Sequence, residues 1–216
     1  MSDNPHDDPE ARQRWEEAYL HGRRQLWLRR LRLRRFFRAR RDGRVLELGC
    51  GDGLNLRILR QLGYRRLVGL EYSVDLLLRN PAGLLLAGDG HDLPLGGDTF
   101  DGILVDSVLH HLTDYPRAAR ELRRVLRPGG WLVYFEPRPG VLRTLLDRIT
   151  LGPLGRFLPV LRHRHDTILE ELPLYTRWLR DHAEMERALR AEGLEARFYR
   201  RGPIGMFVGF AKPLRA

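Results

Sequence analysis

The sequence predicts an α/β protein: a Rossmann-like sheet of seven strands, mostly parallel with the last strand antiparallel, and helices on both faces. Between residues 44 and 137, short apolar runs alternate with helix-like stretches. Strands covered on both faces are uniformly apolar, and parallel strands need crossover helices, so this alternation indicates a doubly covered parallel sheet. Turn signals separate the runs, among them Gly63, Asn80-Pro81 and Pro128-Gly129-Gly130. Two later stretches, LEARFYR and GMFVGFAK, are joined through Arg201, Gly202 and Pro203 and predict a closing antiparallel pair.

Residues 10 to about 40 predict a long helix, because Trp15, Tyr19, Leu26, Leu33 and Phe37 recur at helical spacing along one stripe. RVLELG then predicts the first strand and LNLRILRQLG a helix ended by Gly63. RLVGLEYS is the second strand, VDLLLRN a short helix closed by Asn80-Pro81, GLLLAGD the third strand and FDGILVDS the fourth. In DYPRAARELRRVLRPGG, Asp114 is the expected N-cap, Pro116 lies in the first turn and Pro128-Gly129-Gly130 is the expected stop. WLVYFEP is the fifth strand. Residues 138–178 carry Pro139, Pro153, Pro159 and Pro173 and predict an irregular, mostly helical insertion. In DHAEMERALRAEG, Asp181 and Glu184 have capping-box spacing and Gly193 marks the end.

Composition narrows the function. Of 216 residues, 38 are Lys or Arg and all but Lys212 of these are arginine; the net charge is +10 and the pI about 10.6. Such a balance suits a solvated basic surface or contact with an anionic partner: nucleic acid, an acidic membrane surface or an anionic substrate. The densest basic stretch is RRQLWLRRLRLRRFFRARR. No run of eighteen apolar residues occurs, so no membrane span is expected, and any membrane contact would be peripheral. The first residues lack the basic-then-apolar order of a secretory signal, which gives a cytoplasmic expectation. Cys50 is the single cysteine, which excludes an internal disulfide and a cysteine-rich metal centre.

The first strand runs into Glu47-Leu48-Gly49-Cys50-Gly51-Asp52-Gly53, with three glycines in five positions. A strand, a glycine turn and a helix form a ligand site in α/β sheets, where backbone can approach a ligand closely. A dinucleotide fingerprint would require glycine or alanine where Leu54 stands, and the Gly-Lys-Ser/Thr ending of a phosphate loop is absent.

LELGCGDG resembles the first motif of class I S-adenosylmethionine (SAM) dependent methyltransferases, acidic-x-Gly-x-Gly-x-Gly. Further matches follow in order: Glu71 ending the second strand, 18 positions after Gly53; Asp89 in GDGHDLPL; FDGILVDSVLHHL; and RVLRPGGWLVYFEP. The resemblance covers about residues 44–137 and is greatest to the small-molecule, quinone-biosynthesis-like branch. It implies SAM as cofactor. By that resemblance the turn Gly49, Cys50, Gly51 and Gly53 receives the methionyl end, Glu71 the ribose hydroxyls and Asp89 the adenine amine, with Gly90 giving backbone contact. Glu47 either orients the turn or touches the ligand, and Tyr72 either lies on the adenine face or packs. Asp106 departs from the branch's small or uncharged residue; it could pair with the methionyl ammonium or reach the acceptor.

Displacement at a sulfonium asks the protein chiefly for alignment and exclusion of water. A base is required only for a protonated acceptor, and His110 and His111 follow the fourth strand where one would lie. They are candidates for that role or for a turn and helix start. His163, Arg164 and His165 beside Asp166 have no convincing ligand partners and predict a solvated basic loop, so no metal is expected. The organisation expected is a helical lid over 1–42, a SAM-binding core over 43–137, an acceptor-site cap over 138–178, and the closing helix and strand pair over 179–216. The partner expected is a small-molecule methyl acceptor, planar or partly apolar. RNA or DNA as acceptor is the alternative; it is opposed by DSVLHHL standing where an Asn/Asp-Pro-Pro-aromatic motif would serve base amines. A non-catalytic SAM-binding or basic interaction protein is the third reading, and it leaves Glu71 and Asp89 without a task.

Overall fold

In the computed structural model, which describes residues 22–78 and 84–214, the described fold begins with helix α1 (Arg23–Phe36). Strands and helices then alternate through β1 (Arg44–Leu48), α2 (Leu54–Gln61), β2 (Arg66–Glu71), α3 (Val74–Leu78), β3 (Leu84–Ala87), β4 (Phe100–Asp106), α4 (Tyr115–Val125) and β5 (Leu126–Pro137). Next come α5 (Val141–Leu151), α6 (Pro153–Phe157), α7 (Pro159–Glu170) and the long α8 (Leu172–Ala191). The hairpin β6 (Glu195–Arg201) and β7 (Gly205–Ala211) closes the fold. The seven strands pair in the order β3-β2-β1-β4-β5-β7-β6. β3, β2, β1, β4 and β5 are mutually parallel, and β7 runs antiparallel to both β5 and β6.

Period-two alternation divides the apolar residues between two layers. Leu46, Ile103, Val105, Leu132 and Tyr134 point to one face, where Ala118, Leu122, Trp178, Met185 and Leu189 of α4 and α8 cover them. Val45, Leu104, Val133 and Phe135 point to the other, against Leu33 and Phe37 at the end of α1 and Ile58 and Leu59 of α2. Trp178 is fully buried and its indole Nε1 donates to the carbonyl of Pro137 at 2.9 Å, so the polar end of the largest core side chain is satisfied.

Several expectations change. α1 ends at Phe36, short of residue 40, because Phe37 turns extended and its ring enters the core. Leu26, Leu33 and Phe37 do pack inward, while Trp15 and Tyr19 lie outside the described residues, as does Asn80-Pro81. α4 is capped by Asp114, whose carboxylate accepts from Arg117 N, but it stops at Val125 rather than at Pro128-Gly129-Gly130. Leu126 already pairs with Phe100, so those three residues form an irregular start to β5 with Gly129 at φ +78°. Asp181 and Glu184 do not begin a helix: α8 runs through them, and through residue 178, because Tyr175, Trp178, Met185 and Leu189 form one continuous buried stripe. Gly193, at φ +80°, follows the end of α8 as expected. His165 sits in helix α7, not in a loop, and Arg164 reaches inward to Asp147 at 2.6 Å; the side chain of His163 lies outside those described.

Candidate functional site

At the carboxyl ends of β1, β2 and β4, where the strand order reverses, a cavity of ≈ 640 Å³ opens. This is the switch point of an open α/β sheet, where crossovers leave in opposite directions and expose a crevice. The volume is that of an ordinary small-ligand site. Its wall includes Gly49, Gly51, Glu71, Tyr72, Asp89, Gly90, Asp106 and His111 among the residues expected from the sequence. Glu47, Cys50, Gly53 and His110, also expected there, are not on that wall.

The glycine turn hangs from the neighbouring strand. Gly49 N and Cys50 N both donate to the carbonyl of Leu70, at 2.7 and 3.1 Å. Gly51 N donates to Glu71 Oε2 at 2.9 Å, while Tyr72 N and Ser73 N donate to Glu71 Oε1. Glu71 thus fastens the turn to the end of β2 and keeps a lone pair on Oε2 for a ligand. Gly49, at φ +69°, has no room for a side chain, since a Cβ would lie 2.2 Å from Val108. Gly51, at φ +49°, is different: a Cβ there would meet nothing within 4 Å, and it faces the open cavity. Bare backbone braced by a carboxylate suits the phosphate-free SAM, and Asp89 adds a second carboxylate to the same wall. Both hydrogen bonds to Asp89 fall on Oδ1, from His91 N at 2.9 Å and His91 Nδ1 at 2.7 Å. His91 Nε2 accepts from Thr113 N and Asp114 N, which fixes the proton on Nδ1. These bonds hold the Asp89 carboxyl below its usual range, despite some burial.

Beneath the turn lies a buried polar cluster. Asn55 Nδ2 donates to Glu47 Oε1 at 2.7 Å and to Asp106 Oδ2 at 3.1 Å, and Asn55 Oδ1 accepts from Arg29. Arg29 and Arg32 both reach Asp106 from α1. Arg32 also lies 4.4 Å over the Phe135 ring, so part of the arginine-rich stretch is structural rather than solvated. Burial alone would raise Asp106, but Arg32 and Arg29 outweigh it and hold the carboxyl low. One oxygen of Asp106 therefore already carries three donors. Glu47 has no such compensation: burial, with Asp106 nearby, pushes it up to about 8 against the Asn55 bond. It props the turn from below through Asn55 and not through backbone donors.

The two histidines divide. Buried His110 directs Nδ1 at Glu136 (2.8 Å) and Nε2 at Glu171 (3.3 Å). Carboxylates only accept, so both ring nitrogens carry protons; burial opposes that charge, but the two partners raise His110 to about 9. Of the two roles the sequence offers His110, its place between two carboxylates and off the cavity wall fits the turn rather than proton transfer. His111 lines the cavity, and burial together with the His110 charge lowers its pKa. Glu136 also accepts from Val108 N at 2.7 Å and Leu109 N at 2.6 Å, fixing the turn that presents His111. Ser107, at φ +61°, begins that turn on the cavity wall, a strained conformation for a residue other than glycine. His110, His111 and Glu171 place donor atoms within 4.8 Å of one another, the donor types of a metal site, though His110 is already paired on both sides. Glu136, Glu171, His91 and Asn55 were not found from sequence; as single polar residues they carry no spacing signal.

Residues 46–134 match the family model for a methyltransferase domain. A demethylmenaquinone methyltransferase of Corynebacterium urealyticum is 29% identical over 182 residues, covering 81% of this chain and 76% of the relative. Over its sheet core the chain is similar to S-adenosylmethionine-dependent methyltransferases. A probable S-adenosylmethionine-dependent methyltransferase of Mycolicibacterium smegmatis is 32% identical over 169 residues, 76% of this chain and 55% of that protein. The chain spans about a third to just over half the length of the first curated relatives it matches, at 31%, 55% and 40%. The fold is that of a solved putative S-adenosyl-L-methionine-dependent methyltransferase from Methanococcus maripaludis, with TM-score 0.67 and 18% identity over 100% of this chain and 99% of the other. Class I methyltransferases use SAM, and the cavity's glycine wall and paired carboxylates fit that cofactor. Among the described residues no helix is long and apolar enough to cross a membrane.

Proposed function

We propose that this chain transfers a methyl group from SAM to a small, partly apolar acceptor bearing an ionisable hydroxyl or activated carbon. The observation that carries this reading is one cavity lined both by the glycine-carboxylate wall and by the imidazole of His111. When bound, SAM supplies an electrophilic methyl on a sulfonium, and transfer is an in-line displacement. Gly51 leaves room for the methionyl end, with Gly49 letting the turn close on Val108, while Glu71 takes a ribose hydroxyl and Asp89 with Gly90 the adenine edge. Tyr72, 80% exposed at the rim, is free to lie on the adenine face. Asp106, neutralised by two arginines, is turned away from an acceptor role and braces the floor.

His111, whose Nε2 lies 3.6 Å from Glu171, accepts the acceptor's proton on its other ring nitrogen, and the positive charge on His110 favours the unprotonated form beforehand. Leu48, Leu70, Leu112 and Leu174 give the cavity its apolar wall, which favours an apolar acceptor and keeps water out. Relatives named for demethylmenaquinone, phthiotriol dimycocerosates and fatty acids support an apolar acceptor. In this proposal residues 43–137 are the SAM-binding core, 138–178 the acceptor cap, 179–216 the closing elements and 1–42 the lid, of which only 22–42 lie among the described residues.

Calorimetric titration with SAM tests the cofactor wall. Glu71→Ala and Asp89→Ala each weaken binding by roughly tenfold to a hundredfold, the usual loss of a hydrogen bond to a charged group. Unchanged affinity in both variants overturns the assignment. Methyl transfer from labelled SAM into a lipid extract and into total RNA tests the acceptor class. Label is expected in the organic phase; nuclease-sensitive label would select RNA.

A further inference from the structure

Helix α5 is amphipathic in the reverse sense. At about 100° per residue, Val141, Leu142, Leu145 and Ile149 fall within one arc of about 100°. All four are exposed, Val141 at 89%. The opposite side carries Arg143, Asp147 and Thr150, and these are buried. Tyr175 donates to Asp147 Oδ2 at 2.7 Å and Arg164 to Oδ1 at 2.6 Å, while Arg143 donates to the Ile204 carbonyl and faces Tyr175 at 3.2 Å. The polar face is therefore locked inward by named bonds, and α5 cannot roll its leucines into the core without breaking them. α6 continues the apolar surface with Leu154 and Phe157, the latter 77% exposed.

Charge says what covers this face. Residues 138–165 hold six arginines and a single acidic residue, Asp147, which is buried and paired. Arg148 and Arg156 are exposed beside the apolar residues. An outward apolar helix face rimmed by arginines is the arrangement of an interfacial membrane anchor, in which apolar side chains enter the acyl boundary and the cations meet anionic headgroups. A second copy of this chain would bring the same basic rim and a net charge of +10, which opposes self-association through this face.

We propose that the outward face of α5 and α6 docks on the surface of an anionic lipid bilayer. α7, which packs against α5 and α6, leads directly into Glu171, and Glu171 and Leu174 line the cavity. A docked cap would thus place the acceptor side of the site beside the membrane surface. The inference does not depend on the acceptor assigned above.

The test is co-sedimentation of the full chain with vesicles of phosphatidylcholine alone and of phosphatidylcholine with phosphatidylglycerol. Binding is expected to the phosphatidylglycerol vesicles and to fall with salt. Leu145→Asp with Phe157→Asp lowers the partition coefficient at least tenfold, and Arg148→Gln with Arg156→Gln lowers it by roughly tenfold on the anionic vesicles only. SAM titration and thermal melting of each variant report that the fold is intact, since these side chains are exposed. No binding to the anionic vesicles overturns the proposal. So does binding unchanged in the Leu145→Asp/Phe157→Asp chain, which would assign it to other arginines. A dimer in ultracentrifugation that dissociates in that variant would assign the face to a second copy instead.

Discussion

Glu136 Oε2 on β5 and His110 Nδ1 in the buried turn after β4 lie 2.8 Å apart. The pair does two jobs: it fixes Val108 and Leu109 through Glu136 Oε1, and it holds a positive charge next to His111. Removing the carboxylate strands that charge. Glu136→Gln is expected to cost roughly 3–5 kcal/mol, the usual penalty for breaking a buried pair, in urea denaturation near neutral pH. The sign with pH follows from His110, whose folded value of about 9 stands above its ordinary 6.5. Its contribution is complete below the unfolded value and is lost as pH rises through about 9. The variant and wild type should therefore converge towards about pH 10; a constant difference would contradict the pairing.

His111 offers a proton acceptor on the cavity wall. His111→Asn is expected to lower kcat by roughly 10²–10⁴ on an acceptor that must lose a proton, with SAM affinity unchanged by calorimetry. The wild-type rate should rise with pH through a midpoint below the usual histidine value, because burial and the His110 charge both depress it. A variant with full kcat would leave His111 a structural role only.

Glu47 is a buried acid raised to about 8. Its stabilising contribution is complete below its unfolded value of 4.5 and is lost as pH rises through about 8. Glu47→Gln keeps an acceptor for Asn55 and removes the ionisation. The variant is expected to gain roughly 2–4 kcal/mol relative to wild type at high pH, read as the difference in urea midpoints between acid and alkaline buffer. Parallel pH profiles would argue against a neutral Glu47.

Gly51 and Gly63 both have positive φ, at +49° and +94°, and a Cβ at either meets nothing within 4 Å. Only Gly51 faces the cavity. Both Gly51→Val and Gly63→Ala should lose roughly 1–2 kcal/mol of stability from backbone strain. Gly51→Val should also weaken SAM binding at least tenfold in calorimetry, whereas Gly63→Ala should not. Equal affinities would mean that the turn does not touch the cofactor.

Elements whose signal is local could be read from the chain. The apolar strands, the Asp114 cap and the closing hairpin follow from residue spacing, because period and capping depend on near neighbours. Gly51, Glu71 and Asp89 were found by motif, and they meet on one wall because parallel strands bring their carboxyl ends together. The start of α8 was misread for the same reason in reverse: a capping-box spacing at Asp181 is a local preference, and the buried stripe from Tyr175 to Leu189 overrides it.

By itself the sequence determined the strand-helix alternation, the glycine turn and the carboxylates that follow it, since each is written in consecutive or regularly spaced residues. Only the tertiary structure decided that His110 is a buried cation while its neighbour His111 faces the cavity, that Arg29 and Arg32 close over Asp106, and that α5 turns its leucines outward. Those outcomes depend on partners 17 to 77 positions away in the chain, and charge and burial are properties of what folding brings near rather than of what stands next in line.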